Sequence, residues 1–178
     1  MALITIFRAL ILHLLLTPFP LVLRLVRADD KLIQIECHNA DVPSTCIQCL
    51  QSDQRAKNAD KVVIATIIVN CLKNNAQSLA ANMSNLASGT KAKVVKNVFK
   101  ECGQGFSSAM KKLSSATFGL KKGKYDDAEK FVSEALDYEH NCQSKIGRHH
   151  EDIPKHVVYD MRIYEQLSEA ANRVIERL

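Results

Sequence analysis

Proline and glycine are scarce, four and six residues in a chain of 178, which is too little punctuation for a multi-stranded fold. Beyond residue 28 no apolar stretch could stop transfer through a membrane, which excludes a polytopic membrane protein. A balance of 47% hydrophobic and 24% charged residues excludes disorder and a collagen-like chain. Signatures of catalysis are missing too. There is no Gly-x-Ser-x-Gly, no glycine loop to cradle phosphate, and no Ser, His and Asp set that spacing ties together. The cluster nearest to chemistry is His140, His149, His150 and His156 with Glu151 and Asp152. No His follows Glu151 by three residues, so the helical zinc motif is absent and a solvated interhelix loop is the expectation. The reading is of a protein that is not an enzyme and needs no cofactor or metal.

What the chain does have begins with an apolar run, Ala9 to Leu16, preceded by Arg8 and followed by Pro18 and Pro20. Val26-Arg27-Ala28 then places small residues where a signal peptidase cuts. Residues 1–28 are therefore expected to be a secretory signal peptide removed after Ala28. Residues 29–178 would remain as one domain, with net charge lowered from +5 to about +2 by loss of Arg8, Arg24 and Arg27. No membrane attachment is expected after cleavage. All six cysteines, at 37, 46, 49, 71, 102 and 142, stay in the mature part, where an oxidising pathway can pair them.

Helical spacing recurs in four blocks. The first starts near Lys57 and runs Ala65, Ile68, Leu72, Ala76, Leu79, Met83 and Leu86, ending before Gly89. In the second, Val95, Phe99, Cys102, Phe106, Ala109, Leu113, Ala116 and Leu120 follow each other at alternating steps of four and three, a seam of period 3.5 that packs against nearly parallel neighbours. A third runs Ala128, Phe131, Ala135, Tyr138, Cys142 after a break at Gly123. A fourth runs Val157, Met161, Tyr164, Ser168, Ala171, Ile175, Leu178 after Pro154. Short connections suit antiparallel neighbours. The spacing predicts an all-α chain, an up-and-down four-helix bundle over 57–178 preceded by a small extra element with its own cysteine pair.

Cys102 and Cys142 lie on consecutive seams about 20 residues either side of the turn near Gly123, hence level with each other and well placed for a bridge. Such a loop of about 40 residues removes roughly 3 to 4 kcal/mol of denatured-state entropy. Cys37 and Cys46, with Pro43 between them, are spaced to close a short loop. Cys49 and Cys71 stay open. A bridge between them requires residues 30–52 to fold back along the bundle, and the alternatives are two buried thiols or an intermolecular bond. Zinc at Cys46-x-x-Cys49 lacks a second ligand pair.

Asp126, Asp127 and Glu129 open the third helix, where carboxylates meet the positive end of the helix dipole. Lys111, Lys112, Lys121, Lys122 and Lys124 form a basic stretch without interleaved aromatics or Arg, a pattern that argues against nucleic acid. A weak contact with an acidic polysaccharide suits it better, and five mature His residues would add charge at mildly acidic pH. Asn82-Met83-Ser84 is the single N-glycosylation sequon.

The stretch IECHNADVPSTCIQCLQSDQRAKNAD, with eight residues between Cys37 and Cys46, and the 39 residues between Cys102 and Cys142 resemble the plant invertase and pectin methylesterase inhibitor family. KVVIATIIVNCLKNNAQ, CGQGFSSAMKKLSSA, GKYDDAEKFVSEAL and YEQLSEAANRVIERL extend the resemblance over the whole mature chain. It implies a disulfide-stapled four-helix bundle with an N-terminal helical hairpin, here 29–56, and bridges Cys37–Cys46 and Cys102–Cys142. It also implies a secreted, non-enzymatic protein of the apoplast and cell wall that binds a pectin methylesterase or an acid invertase one to one and occludes its cleft.

Departures from the family pattern bear on the target. Invertase inhibitors typically present Pro-Lys-Phe after the glycine matching Gly123, where this chain has Tyr125, Asp126 and Asp127. Pectin methylesterase inhibitors often carry acids after the cysteines matching Cys102 and Cys142, where this chain has Gln104, Ser108, Gln143 and Ser144. The Gly-x-Tyr-Asp-Asp-Ala wording leans toward pectin methylesterase, with invertase as runner-up and a non-inhibitory wall-associated binding or storage protein as the reading from another class. The expected partner-binding residues are Gln104, Ser108, Tyr125, Asp126 and Asp127, on the second and third bundle helices.

Overall fold

The structure, a computed structural model, describes residues 28–38, 43–147 and 153–178, without the side chains of 28–30. The predicted signal peptide, apart from the backbone of Ala28, and His149, His150, Glu151 and Asp152 lie outside the described residues. Among the described residues six α-helices follow one another: α1 Ala28–His38, α2 Pro43–Gln51, α3 Lys61–Gly89, α4 Lys93–Lys121, α5 Tyr125–Ile146 and α6 Lys155–Ile175, with a 3-10 turn at Gln54–Asn58. No strand occurs among the described residues, and no described helix is long and apolar enough to cross a membrane.

Helices α3 to α6 form the bundle, each packed on its neighbours in chain order, with α6 closing back on α3. The seam of α4 is buried along its whole length, from Val95 through Phe99, Cys102, Phe106 and Leu113 to Leu120. At the centre Phe106 meets Tyr164 edge to face, ring centroids 5.7 Å apart, and the Tyr164 hydroxyl donates to the Ala135 carbonyl at 3.0 Å. That bond satisfies the one polar atom of a fully buried ring.

Two expectations are corrected. The first bundle helix begins at Lys61, not near Lys57, because Asp60 caps it by accepting from the Val63 amide at 2.8 Å, while Asp53 caps the separate 3-10 turn before it. In α5 the buried residues are Ala128, Val132, Ala135, Glu139, Cys142 and Ile146. The expected Phe131 and Tyr138 are only half-buried at the edge of the seam. Rotating the helix this way buries a carboxylate, which apolar periodicity does not register.

The N-terminal hairpin of α1 and α2 folds back along the bundle, α2 resting on α3 and α6. Cys37–Cys46 closes the hairpin, with Cα atoms 5.6 Å apart, and Cys102–Cys142 joins α4 to α5 at 5.0 Å. The open question of Cys49 and Cys71 has an answer in the geometry: they too are bridged, Cα to Cα 6.1 Å, which fastens α2 to α3. Thr45 donates to Gln166 at 3.1 Å, and Arg177 holds the buried Glu36 at 2.5 Å, so the hairpin is also tied to α6 and the chain's end.

Candidate functional site

The turn between α4 and α5 is built by two glycines. Gly123 has φ of 68°, the left-handed conformation that costs glycine least. The Lys124 amide donates to the Gly119 carbonyl and the Gly123 amide to that of Leu120, at 2.9 and 3.2 Å, the paired bonds of a Schellman cap. Gly119 is small by necessity, since an added Cβ would stand 3.1 Å from the Lys124 carbonyl and 3.2 Å from Ala128 Cβ. The chain thus reverses within Lys122–Lys124 and delivers Tyr125, Asp126 and Asp127 to the bundle's tip. Tyr125 leans half-buried on the core, and both aspartates are exposed. They sit in the first turn of α5, where the helix dipole favours them, although the N-cap residue Lys124 makes no side-chain bond.

The tip has a further component that periodicity did not single out. Phe118 is 61% exposed and borders a shallow cleft of about 420 Å³ with Phe131, Lys124 and Asp127. Lys122 Nζ stands 5.7 Å from its ring. The signal was available, because Phe118 lies two residues from each of the seam positions Ala116 and Leu120 and must therefore point outward.

Gln104 and Ser108 are not part of this tip. They form a ridge on α4 about 20 Å away along the helix axis, since some thirteen residues separate Ser108 from the turn. On one side of the ridge lies a groove toward α5 of about 510 Å³, lined by Tyr138 and Asn141 and closed at one end by the Glu101–Lys145 ion pair at 2.6 Å. On the other side lies a larger groove toward α3. The five expected contact residues therefore fall into two patches on the α4–α5 layer, not one. Of the expected basic stretch, Lys112 is engaged with Glu134 at 2.5 Å. Asn82 is half-buried on α3.

One titratable group stands apart. Glu139 is fully buried, with no hydrogen bond to either carboxylate oxygen. Burial, and secondarily the charge of Glu165, push its carboxyl up to about 7. His140 Nε2 lies 3.8 Å from Glu139 and 3.9 Å from Glu165. Burial and then the Glu139 charge likewise raise the Tyr164 phenol. This group lies inside the bundle and off the two surface patches. Among the described residues, no group of three His, Cys, Asp or Glu side chains is arranged to hold a metal ion.

Residues 31–176 match the family described as plant invertase/pectin methylesterase inhibitor. The chain belongs to that family. Among members of this inhibitor family it is 30% identical over 118 residues to the cell wall / vacuolar inhibitor of fructosidase 2 of Arabidopsis thaliana, and 25% identical over 121 residues to the pectinesterase inhibitor of Actinidia deliciosa. These matches cover 66% and 68% of this chain and 66% and 65% of the relatives' own lengths. Two crystal structures of pectin methylesterase inhibitors from Arabidopsis share the fold: a mutant form, at TM-score 0.71 and 20% identity, and a second, at 0.64 and 19%. They cover 82% and 84% of this chain, and it covers 96% and 97% of theirs. The inhibitor-family chain thus has relatives named for two different target enzymes.

Proposed function

We propose that the chain is a secreted, non-catalytic inhibitor that docks the α4–α5 layer into the cleft of a pectin methylesterase, one to one. The observation that carries this reading is the tip, where exposed Asp126 and Asp127 project beside Phe118 from a turn fixed by the Gly123 cap. An enzyme that handles an anionic polymer needs a cleft that attracts negative charge, and two carboxylates on a rigid tip are complementary to it. The stapled bundle also loses little freedom on docking. Acid invertase is the second reading, favoured by the 30% identity to the fructosidase inhibitor. Secretion to the cell wall rests on the predicted signal peptide and the three bridges, and N-terminal sequencing of secreted protein should start at Asp29.

The test is a parallel titration of oxidised protein into pectin methylesterase and acid invertase at roughly pH 5 to 6, spanning His protonation. Saturating loss of methylesterase activity near equimolar ratio is the expected result. Saturation of invertase alone would reassign the target, and inhibition of neither would favour a non-inhibitory binding role. Asp126→Lys with Asp127→Lys should weaken inhibition at least about tenfold with unchanged helicity. Asn82 is the proposed glycosylation site, checked by a mass loss on enzymatic deglycosylation that Asn82→Gln abolishes.

A further inference from the structure

The net charge conceals a sharp division. Residues 61–124 carry eleven lysines and one acid, Glu101, whereas residues 125–178 carry twelve acids and seven basic residues. Glu101 turns toward α5 and is held by Lys145, so among the described residues no carboxylate lines the groove between α3 and α4. That groove is open, about 660 Å³, within the size of ligand clefts. Lys96, Lys100 and Lys111 line it, and none of the three forms an ion pair among the described residues. They lie on one face of α4, spread over about 22 Å along its axis.

The remaining lining is hydroxyl-rich. Ser88 donates its proton to the Ser84 carbonyl at 3.0 Å, and Ser107 donates to that of Gly103 at 2.9 Å. Both serine oxygens are thereby left as acceptors at the groove. A ligand that satisfies the groove must therefore bring anions for the lysines and O–H donors for the serines. Phosphodiester and polyphosphate chains offer the first and few of the second. Among the described residues the one aromatic that lines the groove, Phe99, is buried and presents no ring on which bases could stack.

We propose that the α3–α4 groove is a binding site for a linear uronate polysaccharide, with Lys96, Lys100 and Lys111 pairing its carboxylates and Ser88 and Ser107 accepting from its hydroxyls. The site is separate from the Asp126–Asp127 tip and does not rest on which enzyme the protein inhibits. The test is calorimetric titration of the oxidised protein at low salt with a de-esterified oligogalacturonate long enough to span the three lysines.

Replacing the three together, Lys96→Gln, Lys100→Gln and Lys111→Gln, should weaken binding at least about tenfold and reduce the salt slope by about two to three. A charge-matched control, Lys57→Gln, Lys130→Gln and Lys155→Gln, should change affinity by less than about threefold, since these exposed residues lie outside the groove. The fully methyl-esterified oligomer and a single-stranded oligonucleotide of equal charge should both bind more weakly than the uronate. Equal losses in both triple variants would reduce the effect to net charge and overturn the site. Undiminished binding in the groove variant would do the same, and an oligonucleotide bound as tightly as the uronate would overturn the ligand class.

Discussion

Glu139 is the residue whose environment departs furthest from its chemistry. Its carboxyl is pushed from 4.5 up to about 7 in the folded protein. Between these values the unfolded chain ionises the group while the folded chain keeps its proton, so stability falls as pH rises through that interval. The cost is absent below about pH 4.5 and levels off above pH 7 at about 3 kcal/mol. Glu139→Gln should therefore raise stability at pH 7.5 by up to about 3 kcal/mol and barely change it at pH 4.5, a contrast that urea denaturation at the two pH values would read. At the turn, Gly123→Ala forces a side chain into the left-handed region and should cost about 1 to 2 kcal/mol, seen as a lower melting temperature. Gly123 was legible as a break from its place between two periodic blocks. Glu139 was not, because a charged residue four steps from Ala135 reads as solvent-facing, and Phe131 and Tyr138 offered a more apolar stripe.

Among the elements, α4 was the most legible, since its 3.5-residue seam was buried position for position. The order of the four bundle helices also followed from periodicity and breakers alone. The start of α3 was displaced by its cap, as a 3-10 turn and an α-helix present similar local spacing and only the Asp60 side chain separates them. The third bridge required knowing that the hairpin folds back, a long-range fact that no local pattern encodes. It closes a loop of about 23 residues, worth roughly 3 kcal/mol in the chain-entropy account. Cys49→Ser with Cys71→Ser should lower the unfolding free energy by about that much and leave the α4–α5 tip unaltered. The check is denaturation in parallel with the inhibition titration, where a matching loss of inhibition would show that the hairpin supports the docking face.

At the scale of the whole molecule, charge is distributed as a division between the α3–α4 hairpin and the rest. The chain's net charge of +5 hides it, because the eleven lysines of 61–124 offset acids gathered at the two flanks. The proposed contact sites were only partly legible for the same reason. Tyr125, Asp126 and Asp127 are consecutive and stood out, whereas Lys96, Ser84 and Ser107 become neighbours only when two long helices align. If docking is carried by the tip, inhibition should persist with the groove saturated, whereas its loss would bring in the Gln104–Ser108 ridge, which borders the groove as well as the α4–α5 layer.

The three bridges also define a map of tethers. Cys37–Cys46 and Cys49–Cys71 bind the hairpin to itself and to α3, and Cys102–Cys142 binds α4 to α5. The bundle helix that no bridge reaches is α6, held by packing and by bonds such as Tyr164 to Ala135 and Gln166 to Thr45. Cross-linked helices stay near one another when the core loosens, but α6 has freedom to gain by leaving. Native-state hydrogen exchange should accordingly find its amides opening at lower free energy than those of α4, in a motion that lifts one helix away while the other three stay assembled.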